Sequence, residues 1–211
     1  MVLIDQIVKL TVKFSMVPYE EVKVIGDTFR INYIENEGAA FGLTIRDLFQ
    51  KVGLDLSDHT AKLILTVFSL LAVIVIIYLL QLVRNSRTTL PYFLALILGG
   101  AIGNIIDRVF YGAWFAGIND YEGGLLHGRV VDMFYVNLVH GDVLGIPLNL
   151  LPVFNVADAA IAVGIIAIIV FQRRFFKANA ADPEPVQVAT LSQEPTSAGG
   201  EAVLEEPRPR E

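Results

Sequence analysis

The 211-residue chain contains no cysteine, which removes disulfide staples and thiol chemistry from consideration. Histidine is nearly as scarce. His59, His127 and His140 fall into no HExxH or other paired-ligand spacing, so no metal centre is expected. There is no GxSxG, and no serine within an apolar run has a candidate base beside it, which leaves serine peptidase chemistry unsupported. The HGDV stretch around Asp142 lacks the second glycine of an intramembrane GxGD arrangement. No basic patch argues for nucleic acid. The formal charge of -6 comes largely from the segment after Lys177, with seven acids, two arginines and five prolines. That composition reads as a solvated, disordered tail over residues 178–211, behind a single unit over residues 1–177.

What the chain does have is apolar length. Hydrophobic residues make up 54% of it, and mean hydropathy is +0.57, too high for an ordinary soluble domain. Leu63 to Val83 runs 21 residues without a charge, enough to cross a hydrocarbon layer of ~30 Å as a helix. Leu90–Ile106 and Val153–Phe171 are further runs. Met1–Val17 is another, interrupted by Asp5, Lys9 and Lys13, which are spaced four apart on one helical face. The expected fold is an all-α membrane protein with four transmembrane helices at about 1–17, 62–83, 90–110 and 153–172. The first run lacks the basic start and cleavage site of a removable leader. It is also short for a span, so its amino end is expected to be incomplete, as if a start codon had been placed too far downstream.

Topology then sorts the polar residues. The connection Arg84–Thr89 carries two arginines and no acid, and the last run is followed by Arg173, Arg174 and Lys177. The positive-inside rule makes this side, with the carboxyl terminus, cytoplasmic. Connections 18–60 and 111–151 are then outside, and Asn104, Asp107, Arg108, Asn155 and Asp158 meet at the outer leaflet. From Ala159 to Phe171 is only ~20 Å of helix, so the fourth span must include Asn155 and Asp158. An ionisable group at that depth is a functional candidate. A helix cap is the plain alternative for Asn155, but capping explains Asp158 poorly, one turn further in.

Other motifs are ambiguous when taken singly. DTFRINYI alternates Phe29, Ile31 and Tyr33 with polar residues, and with EVKV and the turn GD it predicts an outer β-hairpin over residues 22–34. Asn36 and Gly38 lead out of it and read equally well as a turn. In GGAIGNIIDRV, Gly99 and Gly103 have the spacing that lets helices approach in lipid. Asn104 and Asp107 share a face, either as an interface anchor with Arg108 or as support for something polar nearby. GRVVDMF carries Asp132 in what reads as an outer loop dipping into the interface. If Asp132 and Asp158 met in a partly dehydrated site, one would hold the proton, and the pair could serve as general acid and base for a water attacking an amide. A proton or cation relay through Asp107, Asp132 and Asp158 is the rival reading. It fits poorly with acids gathered at one leaflet. A non-catalytic scaffold leaves the clustered motifs unexplained.

DQIVK, NEGAAFG, GGAIGNIIDR, GRVVDMF and FNVADAAI stand in the order, and on the elements, seen in lipoprotein signal peptidase, the bacterial signal peptidase II family of four-span aspartic peptidases, which the chain resembles over residues 1–175. The resemblance implies a catalytic dyad of Asp132 and Asp158. It implies that Asn36, Gly38, Gly100, Asn104, Arg108 and Asn155 shape the site, with Asp5 nearby and Asp107 in support. It implies cleavage of diacylglyceryl-modified prolipoproteins just before the lipidated cysteine, without metal or cofactor. The setting would be the bacterial inner membrane, with membrane lipids as the other partner and a monomer as the expected state. A small extracytoplasmic β-cradle would hold the peptide. The segment between Arg108 and Asp132 is longer than the family's minimal spacing, and with Trp114, Phe115 and several glycines it is expected to form a flap-like loop.

Overall fold

The computed structural model describes residues 1–38, 45–86, 88–118, 124–137, 142–143, 146–147 and 152–181. The rest of NEGAAFG, the middle of the expected flap and the acidic tail lie outside these. Helix α1 (Val2–Ser15) ends at the extended Met16, just ahead of Pro18. Strands β1 (Glu21–Ile25) and β2 (Phe29–Asn36) follow, then helices α2 (Ile45–Lys51) and α3 (Asp58–Val83). Helix α4 (Leu90–Ile106) continues through a π-helical turn (Asp107–Tyr111) into α5 (Gly112–Trp114). Strand β3 (Val130–Val136), the short pair β4 (Asp142–Val143) and β5 (Ile146–Pro147), and helix α6 (Val156–Ala181) are the remaining elements among the described residues.

Among the described residues, three helices are long and apolar enough to cross a membrane: Asp58–Val83, Leu90–Trp114 and Val156–Arg173. Helix α3 starts four residues before the expected 62, because the Ser57 side chain caps it by accepting from the Thr60 N–H at 3.2 Å. The run from Leu90 passes the expected limit at 110 and takes in residues 111–114, which are helix rather than the start of an outer loop. Helix α6 runs on to Ala181.

At 14 residues α1 is only ~21 Å long. Its polarity is inverted relative to a soluble helix. Leu3, Ile4, Ile7 and Phe14 point outward, whereas Asp5, Lys9 and Lys13 are buried. The charges that interrupt it as an apolar run are its inner face.

Helix α4 accepts its neighbours through glycine. A Cβ on Gly99 would stand 3.0 Å from the Met1 side chain, and one on Gly103 would stand 2.5 Å from Asp5 Oδ2, so this pair admits α1. A Cβ on Gly100 would stand 2.5 Å from the Ala157 carbonyl oxygen, so this third glycine admits α6. Beyond them, the π turn leaves the Arg108 and Val109 carbonyls to accept from Gly128 N–H at 2.8 Å and Leu126 N–H at 2.9 Å. Thr66 of α3 donates to the Leu126 carbonyl at 3.1 Å. The chain leading into β3 is therefore stapled to α3 and to the end of α4.

The hairpin forms as expected and β3 extends it into a three-stranded antiparallel sheet in the order β1-β2-β3. Phe29 stacks on Phe134 across the β2–β3 pair, and Tyr33 is fully buried. GRVVDMF is thus largely strand rather than a dipping loop. Val130, Val131, Asp132 and Met133 are all buried, so the stretch has no apolar–polar alternation to announce a strand. In the β2–β3 register Ile34 lies opposite Asp132 and Asn36 opposite Val130.

Gly100→Ala should overpack the α4–α6 contact and cost about 1–3 kcal/mol, seen as a lowered thermal midpoint in detergent. Gly124→Ala, whose Cβ would meet nothing within 4 Å, should leave the midpoint unchanged.

Candidate active site

Asp132 and Asp158 reach one place by two independent routes. Asp132 is carried by β3. Asp158 lies in the first turn of α6, and the start of α6 is clamped to β3 by a β-bridge between Phe134 and Phe154. The Phe154 carbonyl accepts from Phe134 N–H at 2.7 Å, and Phe154 N–H donates to the Phe134 carbonyl at 3.0 Å. Asn155 follows at once.

Asn155 is the hub. Its Oδ1 accepts from Asp158 N–H at 2.9 Å, while Asp158 Oδ2 accepts from Asn155 N–H at 3.2 Å. This reciprocal pair is a capping box. Capping therefore does engage Asp158, contrary to the sequence reading, because its carboxylate reaches back to the cap residue's own N–H. The Asn155 Nδ2 donates to Asp132 Oδ1 at 2.6 Å and to Asn104 Oδ1 at 3.2 Å. One buried residue thus hydrogen-bonds both carboxyl groups.

The second oxygen of Asp132 accepts from Asn36 Nδ2 at 3.0 Å. Asn36 Oδ1 in turn accepts from Gly38 N–H at 2.7 Å, a side-chain turn that Gly38 completes at a φ of +111°. The remaining oxygen of Asp158 accepts from Asn104 Nδ2 at 2.8 Å. Asn104 Oδ1 accepts from Lys9 Nζ at 2.8 Å. The same Nζ is 2.9 Å from Asp5 Oδ2 and 2.9 Å from Asp107 Oδ2. Asp5 Oδ1 accepts from Ala157 N–H at 2.9 Å at the start of α6. Asp107 Oδ1 accepts from Gln6 Nε2 at 2.9 Å, and its Oδ2 accepts from Val131 N–H at 3.3 Å, one residue before Asp132.

The predicted residues therefore fall into three groups. Asn36, Asn104 and Asn155 touch the carboxyl groups directly, and Gly38 orients Asn36. Asp5 and Asp107 hold the neighbouring backbone in place, while Gly100 makes room for the start of α6. Arg108 lies in electrostatic reach of Asp132, Asp107 and Asp158, with Nη1 3.8 Å from where a Gly38 Cβ would stand. Sequence reasoning missed Gln6, Lys9 and Tyr111, whose hydroxyl donates to Gln6 Oε1 at 2.9 Å. The available signal was the one-face spacing of Asp5 and Lys9. Among the described residues, no three His, Cys, Asp or Glu side chains gather as a metal site would require.

Burial, and secondarily the Asp158 charge, push the Asp132 carboxyl up to about 7, against the opposing donors of Asn36 and Asn155. It therefore keeps its proton to near neutral pH. The arrangement holds two carboxyl groups on one residue, Asp132 on the Asn155 side chain and Asp158 on the Asn155 backbone N–H, with Asp132 disposed to be protonated, which suits general acid and base chemistry on one water.

Residues 1–174 match the family model described as signal peptidase (SPase) II. The chain belongs to the signal peptidase II family. It is 36% identical over 191 residues to the lipoprotein signal peptidase of Porphyromonas gingivalis, covering 81% of this chain and 78% of that one. The corresponding protein of Pelodictyon phaeoclathratiforme is 33% identical over 174 residues, covering 81% and 83%. Two solved bacterial membrane enzymes, determined in meso at 2.3 Å and 1.9 Å resolution, share the fold. Their TM-scores are 0.55 and 0.53 at 22% and 24% identity; they cover 89% and 81% of this chain, which covers 88% and 86% of theirs. With the family come the activity class, an aspartic peptidase, and the setting, a bacterial inner membrane crossed by several helices.

In Asp158→Asn the neighbouring charge is gone, so Asp132 should titrate at lower pH than in the wild type. The carboxyl band in infrared difference spectra reads this directly, and an unchanged midpoint would mean that burial alone sets it.

Proposed function

We propose that this peptidase removes the signal peptide from diacylglyceryl-modified prolipoproteins, cutting just before the lipidated cysteine with Asp132 and Asp158 as its catalytic pair. The observation that carries the reading is the Asn155 side chain and cap, which hydrogen-bond both carboxyl groups at once. Asp132, raised toward 7, holds the proton and donates it to the scissile carbonyl oxygen. Asp158, accepting from Asn104 Nδ2 and Asn155 N–H, is the carboxylate that takes a proton from the attacking water. The product of that step is a neutral gem-diol. Its collapse breaks the C–N bond, with the proton on Asp158 passing to the leaving amine and a gem-diol hydroxyl returning a proton to the pair. No acyl-enzyme forms, and neither metal nor cofactor takes part.

The substrate class agrees with the level at which the acids lie. A lipid-anchored peptide presents its scissile bond at the membrane surface, and a site at one end of α4 and α6 meets it there. In this reading α1 is the fourth span and the sheet lies outside as a cradle for the peptide. The loop Arg84–Thr89 and the carboxyl terminus are cytoplasmic, following their positive charge. The enzyme acts as a monomer, and the residues after the last helix take no part in the chemistry.

Asp132→Asn and Asp158→Asn should each abolish cleavage of a lipidated prolipoprotein in detergent while the purified protein stays folded; full turnover by either refutes the pair. The wild-type rate should fall as pH rises through about 7, as the proton on Asp132 is lost. A chain ending at Ala181 should cleave as fast as the full chain, and a large loss would show that the tail contributes.

A further inference from the structure

Lys9 takes no part in the chemistry proposed above, yet it is fully buried in α1 and its ammonium faces three acceptors. An ammonium has three N–H donors and no acceptor. Here they are matched one to one by Asp5 Oδ2, Asp107 Oδ2 and Asn104 Oδ1. Pairing with the two aspartates accounts for its charge. The third contact has a separate consequence.

An asparagine amide has two ends, and only the NH2 end can help a carboxylate. At Asn104 the choice is forced by a group that can only donate. Turned over, the amide would set its NH2 against the ammonium and its oxygen against Asp158 Oδ1, two mismatches at once in a dry site. The hydrogen bond from Asn155 Nδ2 to the same Asn104 oxygen reinforces this sense. Asn155 is itself fixed the same way, because its oxygen is held by the backbone N–H of Asp158, another obligatory donor. Both amides therefore turn NH2 toward a carboxyl group, Asn104 to Asp158 and Asn155 to Asp132.

We infer that Lys9 is a positioning residue for the peptidase reaction: its buried ammonium locks the amide of Asn104 so that the NH2 end is presented to Asp158. The inference rests on Asp158 being one of the catalytic pair. It differs from a purely structural role for Lys9, in which neutralising Asp5 and Asp107 would be all that matters. The two separate cleanly, because a structural lysine acts on the amount of folded enzyme, whereas an orienting lysine acts on turnover and only through Asn104.

The test is a double-mutant cycle in the Asp107→Asn background, which relieves one of the two buried charges that loss of the lysine would strand. Purified full-length enzyme in detergent is assayed on a synthetic lipidated peptide, with kcat and KM for Asp107→Asn, Asp107→Asn with Lys9→Met, Asp107→Asn with Asn104→Ala, and all three together. Thermal midpoints are read in parallel. Lys9→Met should lower kcat by about 10- to 100-fold with KM within about twofold, the scale of a misplaced catalytic contact. Asn104→Ala should do the same, and the combination should be no more than about threefold worse than Asn104→Ala alone. Losses that multiply, or a kcat that Lys9→Met leaves intact, overturn the inference. Asn104→Asp in the wild-type background serves if the lysine variants fail to fold. It keeps an oxygen for Lys9 and replaces the donor facing Asp158 with a second oxygen, so it should lose turnover; wild-type kcat in Asn104→Asp overturns the inference by itself. Asp158→Asn is the reference. If it cleaves normally, the catalytic pair is wrong; if it is dead while the cycle is additive, only the role of Lys9 falls.

Discussion

Asp5, Lys9 and Asp107 are fully buried, and their pairing sets how α1, α4 and β3 meet. Charges of this kind are costly to bury, and removing one member of such a group commonly costs about 3–5 kcal/mol because a partner is left stranded. The geometry must therefore satisfy all of them together. Gly103 leaves the space Asp5 needs, Gln6 and Val131 supply donors to Asp107, and Ala157 N–H takes the free oxygen of Asp5. Lys13 repeats the device at the far end of α1, pairing with Glu35 of β2. Helix α1 is an apolar helix turned inside out, and its polar rail is the keel on which the other elements are set.

The site follows from that keel. Asp107 holds the backbone at Val131 and so places Asp132, while Asp5 holds the backbone at Ala157 and so places Asp158. The Phe134–Phe154 bridge ties the two segments directly. Two carboxyl groups from different elements are thereby brought onto one asparagine without a bond between them. The same constraint explains the π turn at Asp107–Tyr111. The widened turn exposes carbonyls that seat the chain entering β3, so the helix end and the strand are joined before Asp132 is reached. Gly128 belongs to that seat, since a Cβ there would overlap the Asp107 carbonyl.

Much of this could be read from residue order. The apolar runs gave the three long helices, since a stretch such as Leu63–Val83 has no other stable form in lipid. The alternation of Phe29, Ile31 and Tyr33 gave the hairpin. Alternation of the apolar runs and a short fourth run gathered Asn104, Asn155 and Asp158 at one level. What escaped was whatever has no periodic signal. The strand containing Asp132 is buried on both faces and resembles any apolar run. The capping role of Asp158 depends on a carboxylate folding back on its own cap, which spacing permits but does not require. The inner face of α1 was legible as a face, yet whether it met protein or lipid was not.

The sequence by itself determined which long runs form helices apolar enough to cross a membrane and which polar residues stand at their ends. These are properties of local composition and of a low-dielectric surrounding, and they need no knowledge of neighbours. Only the tertiary structure decided that Asn155 touches both Asp132 and Asp158, that Lys9 reaches Asn104, and that Asp132 is dry enough to keep a proton near neutral pH. Hydrogen bonds act over about 3 Å, and a chain order in which Lys9 and Asn104 lie 95 residues apart cannot specify a contact that short until the helices have packed.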